Sequence, residues 1–214
     1  MNILVYSAAG NIGTRILQEA LTRGHKVTAA VRHPEKITLK HPNLTVQRGD
    51  ILDERSIAAL SKGHDAVISA YGPSHDDPNG PATYTKAAQA LINGLKKAGV
   101  KRLVTIGGAG SLYVAPGTQL VDTPEFPSAW RPGALGLRDA LEVFKKEKEL
   151  EWTFFSPAVM IEPGKRTGKY RLGKDEPVYD SKGESKISTE DYAAAMLDEV
   201  EKPRHIRQRF TVGY

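Results

Sequence analysis

Asn2-Ile3-Leu4-Val5-Tyr6-Ser7-Ala8-Ala9-Gly10-Asn11-Ile12-Gly13 is the stretch that decides the fold. Asn2 to Ser7 is a nearly unbroken apolar run, the pattern of a parallel strand covered on both faces. Asn11 to Arg23 then repeats Ile12, Ile16, Leu17, Ala20 and Leu21 at helical spacing, and Gly24 closes the helix. Between strand and helix lie two glycines. Gly10 lets the main chain approach a pyrophosphate, and Gly13 lets the helix pack close to the strand. Free N–H groups at the helix start, reinforced by the helix dipole, would face the phosphates. Ser7 stands where this fingerprint usually has its first glycine, in a tight turn where a Cβ is unwelcome. The small serine is tolerated there, and its hydroxyl is expected to bond to the turn.

The same alternation continues outward. Strands are expected at Lys26–Val31, Leu44–Gln47, Ala66–Ser69, Arg102–Ile106, Trp152–Ser156 and Arg209–Val212. Helices are expected from Asp53, over Ala82–Ala98, around Leu137, Leu141 and Phe144, and over Thr189–Glu201. Asp53 and Ser188 read as helix caps. Residues 107–133 read as one long loop. Strand and helix alternating in this way give an α/β, Rossmann-type doubly wound parallel sheet of order 3-2-1-4-5-6. Its ligand crevice lies beyond the carboxyl ends of strands one and four. The chain is expected to be a single domain over residues 1–214, with about 157–188 as a small cap over the crevice.

Bulk properties narrow the function. The 214 residues hold no cysteine, which excludes disulfides, thiolate catalysis and cysteine-ligated metals. None of the six histidines has metal-ligand spacing, so no metal is expected, and His75 falls in the loop over the crevice. No apolar run reaches membrane-span length and no secretory signal is apparent, so a cytoplasmic protein without a membrane partner is expected. The net charge of +5 comes from scattered Lys and Arg. That suits an anionic small molecule rather than nucleic acid. A homodimer is compatible with the sequence.

Cofactor choice is read at the end of strand two, where NAD enzymes carry Asp or Glu for the ribose hydroxyls. This chain has Arg32 there, with Lys36 close by, and no acid at the strand end. A guanidinium suits a 2′-phosphate, so NADP(H) is expected over NAD(H). Asp50 could accept from the adenine amino group while Ile51 covers the ring, or Asp50 could simply form the turn after Gly49. Ala70, Tyr71 and Gly72 end strand four, where ribose and pyrophosphate must pass.

The loop SAAGNIG, AVR at strand two, RGDILD, DAVISAYG, RLVTIGGAGSL, WTFFSP and ISTEDYAAAMLDEV together resemble the atypical short-chain dehydrogenase/reductase superfamily. Within it the chain is similar to the NAD(P)H-binding group of NmrA-like proteins and flavin (biliverdin-IXβ) reductase. The resemblance implies NADP(H) at Gly10, Asn11, Ile12, Gly13, Arg32, Asp50 and Gly72, with Pro157 bordering the nicotinamide. It also exposes departures. The superfamily's Tyr and Lys, four residues apart on the helix after strand five, are missing from LRDALEVFKK. Tyr170 and Lys174 share the spacing but lie in extended sequence, roughly 13 Å apart. Flavin reductases carry a histidine after the equivalent proline, where this chain has Ala158. Ser111 remains to orient substrate or cap its loop, and Tyr113 to donate a proton or pack. A planar flavin or quinone asks mainly for positioning, because solvent can supply the proton. The reading is an NADP(H)-dependent oxidoreductase of a small flat acceptor (flavin, quinone or carbonyl type). The alternative is a non-catalytic NADP(H)-binding redox sensor of NmrA type.

Overall fold

In the computed structural model, which describes residues 1–72 and 79–214, the first strand β1 (Asn2–Tyr6) feeds two cores at once. Ile3 and Val5 point into one and Leu4 and Tyr6 into the other, all fully buried. Alternate side chains of a strand leave opposite faces, so an apolar residue at every position means both faces are covered. Helices α1 (Asn11–Thr22) and α5 (Thr189–Glu201) cover the first face. Helices α2 (Glu54–Ser61), α3 (Gly80–Ala98) and α4 (Arg131–Lys146) cover the second. Each fully buried Leu, Ile or Phe contributes about 1.5–3 kcal/mol by leaving water.

The remaining strands are β2 (Lys26–Val31), β3 (Leu44–Arg48), β4 (Ala66–Ser69), β5 (Arg102–Ile106), β6 (Tyr113–Ala115), β7 (Thr118–Gln119), β8 (Glu151–Ser156), β9 (Met160–Glu162), β10 (Arg171–Gly173), β11 (Lys186–Ser188) and β12 (Gln208–Gly213). The main sheet runs β3-β2-β1-β4-β5-β8-β12-β10. Its first six positions follow the expected order. All its pairings are parallel except β10 with β12, so the carboxyl ends of the parallel strands share one edge. The chain turns from β1 to β2 on one side and pairs β1 with β4 on the other, which opens the crevice at that edge.

Local chemistry sets the boundaries. Gly24 takes φ +80° after α1, and Asp53 caps α2 by accepting from the Arg55 N–H at 2.9 Å. Ser188 caps α5 by accepting from the Asp191 N–H at 3.0 Å. Helices α3 and α4 begin before the apolar periodicity does. Pro81 and Pro132 occupy their first turns, where a missing N–H costs nothing. Gly94 lets α3 lie against α2, because a Cβ there would stand 2.6 Å from Ile57.

Two regions differ from the sequence expectation. Residues 107–130 are not one irregular loop. They contain the β6–β7 hairpin and three short 3₁₀ turns, at Ala109–Ser111, Leu120–Asp122 and Ser128–Trp130. Residues 157–188 are not wholly separate from the sheet. β9 and β11 form a small parallel pair, but β10 extends the main sheet beyond β12. Both extra pairings join residues far apart in the chain, which local periodicity does not report.

Candidate functional site

The turn after β1 is built around an unusual backbone angle. Ser7 has φ +59°, in the left-handed region that L-residues avoid. Its N–H donates to the Ala30 carbonyl at 3.1 Å, and its own carbonyl accepts from the Gly10 N–H at 3.1 Å. The turn therefore keeps the shape a glycine would give. The expected bond from the Ser7 hydroxyl does not form: that oxygen has no partner among the described residues, because the main chain closes the turn itself. Gly13 is required by packing. A Cβ there would stand 2.2 Å from the Ser7 oxygen and 2.9 Å from the Ala8 Cα. At Gly10 a Cβ would meet the Ser7 oxygen only at ordinary contact, 3.4 Å. Gly10 is the N-cap of α1, no side chain caps the helix, and no acid occupies its first turn. The helix start at Asn11, Ile12 and Gly13 thus offers N–H groups and a positive dipole end to an anion.

An open cleft of about 280 Å³ runs from this turn across the ends of β2, β3 and β4. It brings together Ser7, Gly10, Arg32, Lys36, Asp50, Ile51, Ala70, Tyr71 and Gly72, nine residues singled out from the sequence. Arg32 and Lys36 are exposed and make no ion pair with a described residue. Asp50 forms the turn and keeps one oxygen without a partner among the described residues. Its Oδ1 accepts from the Leu52 N–H at 2.9 Å, leaving Oδ2 for a ligand donor. Asn11 and Ile12 lie at the helix start beside the cleft rather than in its wall, and the Asn11 carbonyl holds Thr14 and Arg15.

Several lining residues were not legible beforehand. Ala9, His33, Gly49 and Leu52 also line the cleft. Leu52 presents an exposed apolar face beside buried Ile51. A Cβ at Gly49 would stand 2.7 Å from Leu60 Cδ1 and 3.2 Å from the Ala30 Cβ, so a side chain there would need Leu60 to move. The basic His33 beside Arg32 was the available signal, and its Nδ1 sits 3.2 Å from Glu35. Tyr84 of α3 stacks edge-on against Tyr71 at 6.0 Å, and its hydroxyl lies beside Gly72. Burial pushes the Tyr84 phenol up to about 12, so it stays a proton-bearing donor at neutral pH.

The proposed chemical residues lie elsewhere. Ser111 is buried, and its carbonyl and hydroxyl accept from Arg209 Nη1 at 3.1 and 3.3 Å. These contacts tie Ser111, in the loop after β5, to β12. Tyr113 belongs to β6 and faces a concavity shared with Asp175, Glu176, Pro177 and Tyr179, outside the dinucleotide cleft. Pro157 is buried at the end of β8, and its carbonyl accepts from Thr211 Oγ1 at 3.2 Å. Tyr170 and Lys174 flank β10, and the Tyr170 hydroxyl donates to Asp198, so the spacing match is no dyad. His75 lies outside the described residues. Among the described residues no cluster of His, Asp and Glu is placed to hold a metal ion, and no helix is long and apolar enough to cross a membrane.

The crevice at the switch point, the uncapped helix start and the glycine that only packing explains define a dinucleotide-binding Rossmann protein. Comparison with known proteins makes the assignment narrower. Residues 7–203 match the family described as NAD(P)H-binding, and the chain belongs to that family. It is 42% identical to the uncharacterized protein YwnB of Bacillus subtilis, over 99% of this chain and 98% of that one. A solved structure from Bacteroides thetaiotaomicron, provisionally named an epimerase, superposes with a TM-score of 0.92 at 47% identity, over 100% and 96% of the two chains. Another from Streptococcus pneumoniae, provisionally named an NADH-flavin reductase, gives a TM-score of 0.86 at 35% identity, over 100% and 99%.

Proposed function

We propose that the protein is an NADPH-dependent reductase of a small planar acceptor. The observation that carries this is the pair Arg32 and Lys36, two cations lining the end of the cleft with no ion-pair partner among the described residues. A dinucleotide entering there with a 2′-phosphate would complete them. Its adenine would lie against Ile51 and Leu52 with Asp50 Oδ2 open to the amino group, and its pyrophosphate at Gly10 to Gly13. When bound, NADPH would supply a hydride, and solvent the one proton that completes the reduced acceptor. The chain's task is then to orient both partners and exclude water. Residues 157–188 would cover the acceptor side. The likeness to a protein named as an NADH-flavin reductase supports a flavin-type acceptor.

A second reading, a redox sensor that binds the dinucleotide without turnover, is favoured by one observation. Neither Ser111 nor Tyr113 lines the cleft, and α4 carries no tyrosine. Two measurements test both readings. Arg32→Ala is expected to weaken NADPH about tenfold in titration calorimetry, the lower end for a charge-assisted bond, and to leave NADH nearly unchanged. Equal losses would remove the 2′-phosphate role. Loss of the NADPH absorbance band with a flavin and quinone panel supports the reductase. Tight binding with no oxidation across the panel supports the sensor.

A further inference from the structure

A second cavity, of about 700 Å³, opens at the carboxyl ends of β8 and β12. These ends lie beyond β5 from the cleft at the β1 turn, on the same edge of the sheet. Val159 follows β8 by three residues and Tyr214 directly follows β12. The floor is the outer face of the β9/β11 pair. In that parallel register Met160 stands beside Lys186 and Glu162 beside Ser188, while Ile161 and Ile187 turn down into the core. Leu120 and Tyr179 form apolar walls. Met160 and Tyr179 are large apolar side chains left 44% and 47% exposed, as a surface awaiting a planar partner would be.

The walls are fixed. Gly164 donates its N–H to Glu190 Oε2 at 2.8 Å, and the same carboxylate reaches Arg15 of α1 at 3.3 Å. Thr167 donates its N–H and hydroxyl to buried Asp191, at 2.8 and 2.6 Å. The cavity is thereby tied to the first turn of the helix that would hold the pyrophosphate.

Charges on the lining are unequally used. Lys186 is matched by Glu184 and by Asp180 at 3.7 Å, and the neighbouring Arg166 is taken by Glu19. Lys165 and Glu162 line the cavity with no partner among the described residues. One free cation and one free carboxylate, set beside the apolar Met160, Leu120 and Tyr179, match a particular ligand chemistry. It is a fused planar ring with an acidic tail for Lys165 and an N–H or O–H on its rim for Glu162.

We infer that this cavity is the acceptor site, and that Lys165 makes it selective for planar acceptors bearing an anionic tail. The inference rests on the reductase reading for its use of the word acceptor. Its test is binding, which stands apart from turnover. FMN and riboflavin share a ring and differ in the phosphate, so their quenching of fluorescence on titration is compared in the presence of saturating NADP⁺, which keeps FMN out of the adenine cleft. FMN is expected to bind about two- to fivefold more tightly at low ionic strength, as an ion pair to the exposed Lys165 allows. Lys165→Met should erase that preference and spare riboflavin. Met160→Trp, at an exposed position, should weaken both flavins and leave NADP⁺ affinity unchanged. Equal affinity of the native protein for FMN and riboflavin would overturn the inference. So would retention of the preference in Lys165→Met, or unchanged flavin binding in Met160→Trp. If these variants behave as expected while NADPH is never oxidised, the site stands and the reductase reading falls. If flavins are reduced but FMN and riboflavin bind alike, the reverse holds.

Discussion

Replacing Gly13 by alanine tests the phosphate cradle most directly. The new Cβ would stand 2.2 Å from the Ser7 carbonyl oxygen, 2.9 Å from the Ala8 Cα and 3.0 Å from the Ser7 carbonyl carbon. All three are main-chain atoms, so no side chain can swing aside. Relief requires the start of α1 and the β1 turn to separate by roughly 1 Å in a close-packed interior. That separation carries a fold cost of about 1–3 kcal/mol, typical of overpacking. It also carries a binding cost. Hydrogen bonds of about 2.9 Å from the helix start to a phosphate oxygen would lengthen toward 4 Å and cease to count as bonds. Losing two charge-assisted bonds at about 1.5 kcal/mol each lowers dinucleotide affinity about a hundredfold. Calorimetric titration with NADP⁺, run well below the variant's melting temperature, reads the second effect, and denaturant unfolding reads the first. Gly10→Ala is the control, because its Cβ reaches only a 3.4 Å contact and the fold should be untouched. If Gly13→Ala loses stability yet binds NADP⁺ like the native protein, the glycine serves packing alone and the cradle argument fails.

Three further outcomes follow from the packing. Ser7→Gly should stabilise the protein by about 0.5–1 kcal/mol in urea unfolding, since it relieves the left-handed residue at some entropic cost and breaks no hydroxyl bond; a loss of stability would reveal a role for the hydroxyl. Burial pushes the Glu199 carboxyl up, but the His205 ring, with Nδ1 at 2.8 Å, the His205 N–H and Arg102, with Nη2 at 2.9 Å, together hold it below the usual range. Glu199→Gln leaves Arg102 charged and buried without its counter-ion and should cost about 3–5 kcal/mol; a change under 1 kcal/mol would contradict that. Glu19 is held below its ordinary pKa first by Arg166, with Arg23 assisting against burial. A depressed carboxyl stabilises above its unfolded pKa and loses that stabilisation as pH falls through its folded value. The stability gap between the native protein and Arg166→Ala should therefore be constant above about pH 5 and shrink below 4.5, and a gap that widens in acid would refute the assignment.

The cleft at the β1 turn was legible because each of its parts is local. A strand, a glycine turn, a helix start and the residue ending each strand all follow from spacing along the chain, and Arg32, Lys36, Asp50 and Gly72 fall where the periodicity ends. The surroundings of Ser111 and Tyr113 were not. Ser111 reads as a hydroxyl that orients substrate or caps its loop, and only the fold brings Arg209 of β12 to it across 98 residues; Tyr113 reads as a donor or a packing residue, and only the fold sets its hairpin beside Asp175.

The sequence alone determined the doubly wound sheet, the order of its first six strands and the dinucleotide end of the crevice, because these follow from period-two and helical repeats, glycine sterics and chain-order connection rules. Only the tertiary structure decided that β12 and β10 widen the sheet, that β9 and β11 pair into a cavity floor, and that Lys165 is left free while Arg166 and Lys186 are taken. Those outcomes depend on which distant partners arrive in space, and no repeat along the chain encodes that.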